Sequence, residues 1–201
     1  MIRRTFTPML AASFLALAGC ATPQGPVEVT RFVEQSAADR LGSGSIFVTA
    51  APGEPADSLE MSTYTAAVAN ELRNVGYVES ARTSADQVAE VRFERYVLGA
   101  AGKRSPVSVG VGGSTGSYGS GVGLGVGINL AGGQKDQVGT EMAVIIRDRA
   151  SGQSLWEGRA NFTAAENSPL ADRRASAQTV AAALFSEFPG NNGETVEVEV
   201  P

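Results

Sequence analysis

The chain has 201 residues, 43% of them hydrophobic and 18% charged, which is enough to bury a core without disulfide or metal support. It contains no histidine and a single cysteine, Cys20, which excludes intramolecular disulfides, Cys/His zinc sites and every histidine-based triad or dyad. The net charge of -5 argues against nucleic acid as the main partner.

Arg3 and Arg4 precede the small apolar run Met9 to Ala18. That run is about half the roughly 20 residues a bilayer-spanning helix needs, so residues 1–19 read as a signal peptide. Leu17-Ala18-Gly19-Cys20 resembles the bacterial lipobox. The resemblance implies cleavage between Gly19 and Cys20, diacylglycerol on the Cys20 thiol and an acyl chain on the new amine. Buried acyl chains contribute roughly 0.8 kcal/mol per methylene, and more than one chain gives stable anchoring. Ala21 stands where an Asp usually means retention at the inner membrane, which implies the outer membrane by resemblance to that sorting rule. Arg3-Arg4-Thr5-Phe6 is also similar to a twin-arginine signal, so the export route stays open. Residues 20–26 comprise the lipidated Cys20 and a tether, Ala21 to Pro26, which spans at most roughly 20 Å and holds the domain close to the membrane.

Val27 to Phe32 alternates apolar and polar residues and predicts a strand. Ser45 to Ala50 predicts a second, bounded by Gly42, Gly44, Pro52 and Gly53. Asp57 offers an N-cap with Glu60 as its capping partner. Met61, Tyr64, Val68, Leu72 and Val75 then follow at helical spacing, and Gly76 closes the helix. Val88 to Leu98 predicts a strand with Ala89, Val91, Phe93 and Val97 on one face, Arg95 being the exception there, and Glu90, Arg92, Glu94 and Tyr96 on the other. Thr140 to Arg149 and Leu155 to Thr163, joined by Ala150-Ser151-Gly152, predict a hairpin with Met142, Val144, Ile146, Trp156, Gly158, Ala160 and Phe162 facing inward. Ser168-Pro169 predicts the start of a second helix with the stripe Leu170, Ala177, Val180, Leu184 and Phe188, ended by Pro189-Gly190. Residues 191–201 form an acidic tail in which Thr195 to Val200 either adds an edge strand or frays.

This order predicts an α+β domain over residues 27–190. Its expected form is an antiparallel-dominated sheet with two helices packed on one face, plus a Gly-rich hairpin-like insertion. Met61, Tyr64, Leu72, Phe93, Trp156, Phe162, Leu184 and Phe188 are the expected core. The insertion, residues 105–134, carries no charge, and eleven glycines fall between Gly110 and Gly133. Val107, Val109 and Val111 alternate with Ser108 and Gly110; Val122, Leu124, Val126 and Ile128 alternate with glycines. No G-x-G-x-x-G register fits, and Gly102-Lys103 lacks the rest of a P-loop, so phosphate binding is set aside. Three readings stay open: a flexible linker, a hairpin extending the domain's own sheet, and an interaction hairpin meeting a membrane or another copy.

No catalytic constellation is present. Glu90 with Glu94, and Asp86 with Glu90, read as a solvated strand face among arginines, and Asp148 as a turn residue. Glu194, Glu197 and Glu199 are weak candidates for a divalent ion but read as a solvated tail. No catalytic residue, metal ligand or cofactor is therefore assigned.

Several segments converge on one family: Leu72-Arg73-Asn74-Val75-Gly76-Tyr77, Ala143 to Asp148, Ser151 to Gly158, and Phe185 to Gly190, all behind a lipobox cysteine. The chain resembles the bacterial lipoprotein family catalogued as domain of unknown function 4136, from about Val27 to Pro189. The resemblance implies a compact domain on the periplasmic side of an envelope membrane and carries no known activity. The expected function is that of a non-enzymatic lipoprotein, anchored on the periplasmic face of the outer membrane, acting through surface contacts in envelope assembly or maintenance. Its partners would be the membrane, through the lipid, and envelope proteins or further copies of itself, with no nucleic acid. The alternative is a binding module for an apolar or lipid-like ligand.

Overall fold

The computed structural model describes residues 25–99 and 136–200. Seven strands make one mixed sheet in the order β3-β2-β4-β5-β6-β1-β7: β1 (Val27–Val33), β2 (Ser45–Ala50), β3 (Val78–Glu79), β4 (Gln87–Leu98), β5 (Gln137–Asp148), β6 (Ser154–Ala165) and β7 (Glu194–Val198). Two long helices, α1 (Leu59–Asn74) and α2 (Arg173–Phe185), complete a mixed α/β architecture.

The sheet corrects the antiparallel-dominated expectation. β2 pairs in parallel with both β3 and β4, while β4, β5, β6, β1 and β7 pair antiparallel in turn. The alternation in β4 reports one wet face; it carries no information on strand direction. Direction here is set by α1, which carries the chain back after β2 so that the next strands run the same way.

Both helix starts differ from the sequence expectation, for local reasons. Ser58, not Asp57, caps α1: its hydroxyl accepts from the Met61 N–H at 2.9 Å. Glu60 instead pairs with Arg173 of α2 at 3.4 Å. Ser168-Pro169 does start a helical turn, but a 3-10 one of three residues, Pro169–Ala171. Asp172 is extended (ψ 142°) and breaks it, then caps α2 through its carboxylate on the Arg174 and Ala175 N–H groups. α2 ends at Phe185, so Phe188 packs from the following turn. After α1, Gly76 sits at φ 111°, where a Cβ would run into the Gly42 carbonyl.

One sheet face carries the core. Ala89, Val91, Met142, Val144, Ile146, Trp156, Ala160 and Phe162 are buried there. α1 covers the β4 side, with Tyr64 stacked on Phe93 at 4.0 Å, and α2 covers the β6 and β1 side. Of the expected core, Tyr64, Leu72, Trp156, Phe162 and Leu184 lie in the central cluster, Met61 is buried, and Phe93 and Phe188 pack against it half-buried. Val97 lies on the same side of β4 but is 61% exposed, beyond the reach of the helices. Gly158 keeps its place because a Cβ would strike the Trp156 ring and approach Leu184 to 2.8 Å. Residues 195–198 take the edge-strand alternative: β7 pairs with β1 from Val27↔Val198 to Arg31↔Glu194.

Candidate functional site

The residues singled out by sequence, Gly19, Cys20, Val107, Val109, Val111, Val122, Leu124, Val126 and Ile128, lie outside the described residues, as does the whole 105–134 segment. The structure does place what flanks them. Leu98 and Gln137 face each other across the β4–β5 ladder, so the chain leaves and re-enters the sheet at one end. Val27 opens β1 at that same end, since Glu28, Asn161, Glu141 and Glu94 stand in one cross-strand row. The start of β1 and the two ends that flank residues 100–135 therefore lie at the same end of the sheet.

That row belongs to the face of the sheet opposite the helices. It continues to Glu197, directly across from Glu28. Tyr96 lies over Gly139 one step nearer the Leu98 end. Burial, with the Glu141 and Glu94 carboxylates beside it, raises the Tyr96 phenol above its ordinary value. Below the row, Arg92 pairs with Glu54 at 2.8 Å and Arg147 with Glu90 at 3.0 Å. Glu90 is thus ion-paired rather than simply solvated.

The core-side edge holds an apolar groove of about 350 Å³. It runs between the outer flank of α2 (Gln178, Thr179, Ala182, Ala183) and Val27, Val198 and Val200, with Leu170 at its head and Glu199 at its rim. It exists because two helices cannot cover seven strands: α2 sits over β6 and β1 and leaves the valines of β7 half-buried. A second, polar cleft of about 370 Å³ lies at the far end, by Val33, Gln35, Pro189 and Asn192.

Three polar constructions were not read from the sequence. Arg31 is fully buried and donates to the carbonyls of Ala183, Leu184 and Ser186, to the Ser186 hydroxyl and to Glu194 Oε1 at 3.0 Å. It closes the C-terminus of α2, where a cation is favoured by the helix dipole, and fastens β7. Its place in the apolar phase Val27, Val29, Arg31, Val33 is the signal that could have revealed it. Arg95, the exception noted on β4, reaches the Ala171 carbonyl at 2.7 Å and the Ser176 hydroxyl at 3.2 Å, bracing the start of α2. Buried Tyr77, whose phenol burial pushes up to about 12, donates to Gln87, which in turn donates to the Arg40 carbonyl.

At the end of the sheet away from Val27, Asp148 is the turn residue expected: it accepts from the Ala150 and Ser151 N–H groups and the Ser151 hydroxyl, and pairs with Arg40. The Ser151 bonds, with Arg40 beside them, pull its carboxyl down to about 2. Hydrogen bonds likewise lower Asp86 (from Ser45), Asp172 (from Ala175 and Arg174) and Glu194 (from Asn191, then Arg31). Each folded-state value lies below the unfolded one. The stabilisation is therefore complete above the unfolded value, 3.8 for Asp148, and is lost as pH falls towards about 2. Melting followed from neutral pH into that window should show a falling midpoint. Asp148→Asn should melt lower at neutral pH and lose less on acidification; a parallel acid decline in both proteins would remove Asp148 from the account.

Among the described residues no group of three or more metal-ligating side chains converges, and no helix is long and apolar enough to cross a membrane. The family model described as a domain of unknown function, number 4136, matches residues 32–190. No curated protein matches the chain. Among solved structures, the PelC dodecamer from Paraburkholderia phytofirmans is similar at 14% identity over 83% of this chain and 99% of that one, with a TM-score of 0.45. A PDZ domain protein from Parabacteroides distasonis is similar at 14% identity over 87% of this chain and 39% of that one, with a TM-score of 0.50. At that identity the second likeness speaks to the fold alone.

Proposed function

The chain belongs to the domain of unknown function 4136 family, and from that premise we propose that it is a lipid-anchored outer-membrane protein, facing the periplasm, that works without catalysis through surface contacts in envelope assembly or maintenance. The observation that carries the reading is the lipobox-like sequence ending in the only cysteine, with six residues between it and β1. So short a tether keeps the Val27 end of the sheet at the membrane surface. The roots of the charge-free segment at Leu98 and Gln137 share that end, which supports a role for 105–134 at the membrane or against a neighbouring copy or envelope protein. No cofactor and no nucleic acid enter this reading.

The alternative, a module for an apolar or lipid-like ligand, is favoured by one observation, the groove beside α2. Its volume stands at the small end of the roughly 300–1,000 Å³ range of ligand pockets.

The test places charges on the apolar phase of the segment, Leu124→Glu with Ile128→Glu. Burying an unpaired carboxylate is strongly unfavourable, so a contact made through this phase should not survive. The double variant is expected to keep its circular dichroism, melting midpoint and membrane fraction while losing cross-links in intact envelopes. Unchanged cross-links with an unchanged melt would make the segment a dispensable solvated loop. Global unfolding would make it ordinary core packing.

A further inference from the structure

We propose that the β7 edge, together with the groove between β7 and α2, docks an extended segment of a partner protein in which apolar and basic residues alternate. The inference rests on the reading of this chain as a contact protein, but not on its anchor. Among the described residues β7 has a neighbour, β1, on one side only. An unpaired edge is a template for one more strand, whose main-chain hydrogen bonds supply affinity while alternate side chains supply specificity.

The two faces of such a strand would meet different chemistry. On the core side its side chains enter the groove, where Val198, Val200 and Ala182 offer apolar contact and Val196 and Val198 are only half-covered. On the opposite face they stand beside Thr195 and Glu197. Glu197 lies directly across from Glu28, like charges in a position that is unfavourable until a cation joins them. Neither carboxylate has an ion-pair partner among the described residues. A basic residue of the added strand would relieve that pair, and apolar residues one position either side would fill the groove. A second copy fits less well. Two β7 strands paired antiparallel would keep Glu28 and Glu197 of both copies on one face, adding repulsion where the basic strand removes it.

The test uses the full chain, in phosphatidylcholine nanodiscs where it carries its lipid and in buffer where it does not, the zwitterionic bilayer being one that does not attract a cationic peptide. The probe is a capped, dye-labelled heptapeptide alternating lysine and valine, read by fluorescence anisotropy beside empty discs and a glutamate–valine counterpart. The lysine peptide is expected to bind saturably, more weakly as salt rises, and the glutamate peptide not at all. Ala182 is an exposed helix position, so Ala182→Trp should fill the groove without unfolding the chain, checked by its melt, and weaken binding at least tenfold. Glu197→Gln should weaken it roughly fivefold at low salt, about what one exposed charge pair supplies. The proposal is overturned by the absence of saturable binding, by equal binding of both peptides, or by full binding in Ala182→Trp. It is equally overturned by a concentration-dependent dimer that Ala182→Trp abolishes, which assigns the groove to a second copy, or by an acyl chain that co-purifies with the chain but not with Ala182→Trp. Because binding is read directly on the chain, a failed anchor and a failed docking edge give separate results.

Discussion

Trp156→Ala is expected to cost roughly 3–5 kcal/mol, the range for truncating a fully buried large aromatic. The ring is 1% exposed on the inward face of β6. It stacks on Phe185 at 5.3 Å and meets Phe188 at 5.2 Å, while its Nε1 donates to the Pro189 carbonyl at 2.9 Å. One side chain thus joins the sheet, the end of α2 and the turn beyond it. At about 2–4 °C per kcal/mol for a chain of this size, the melting midpoint should fall by more than about 6 °C. Trp156→Phe keeps the stacking and loses the hydrogen bond, so it should fall less. A midpoint within a degree or two of the parent for Trp156→Ala would refute the packing described.

Arg31→Met is the second large effect. Methionine follows the path of the arginine stem but leaves the carbonyls of Leu184 and Ser186 without their side-chain donor and Glu194 without its cation, while the Ala183 carbonyl keeps the Ser186 N–H and hydroxyl. Removing one partner of a buried pair costs about 3–5 kcal/mol, much of it the desolvated groups left behind. Glu194 keeps some contact with solvent, so most of the loss should come from the carbonyls. Arg31→Met with Glu194→Gln should therefore recover only part of the stability lost by Arg31→Met. Denaturant unfolding of the single and double variants measures this; complete recovery would assign the effect to the ion pair alone, and no loss in Arg31→Met would show the guanidinium to be dispensable.

The β5–β6 hairpin was legible because period-2 alternation on both sides of Ala150-Ser151-Gly152 leaves one register that buries Met142, Val144, Ile146, Trp156 and Phe162 together. The direction of β2 was not legible, because alternation specifies faces and not the sense of a crossover. The start of α2 was displaced because Ser168-Pro169 is a true helix-start signal that Asp172 overrides four residues later. Arg31 and Arg95 show where pattern reading stops. A charged residue in an apolar phase marks either a flaw in the strand or a buried bond, and only the fold brings the carbonyls at and beside the ends of α2 within reach. The groove was invisible for a similar reason: it depends on how many strands two helices can cover. The proposed anchor, by contrast, rests on local sequence alone.

The central claim is the lipid at Cys20. It is tested most directly by mass spectrometry of the N-terminal peptide of the chain purified from separated inner and outer membranes, beside Cys20→Ser. The expected result is a peptide that begins at Cys20, carries a diacylglycerol and an amide-linked acyl chain and is recovered from the outer membrane, with Cys20→Ser either soluble or still bearing residues 1–19. An unmodified Cys20, or mature-sized Cys20→Ser protein in the outer membrane at parental levels, would contradict it.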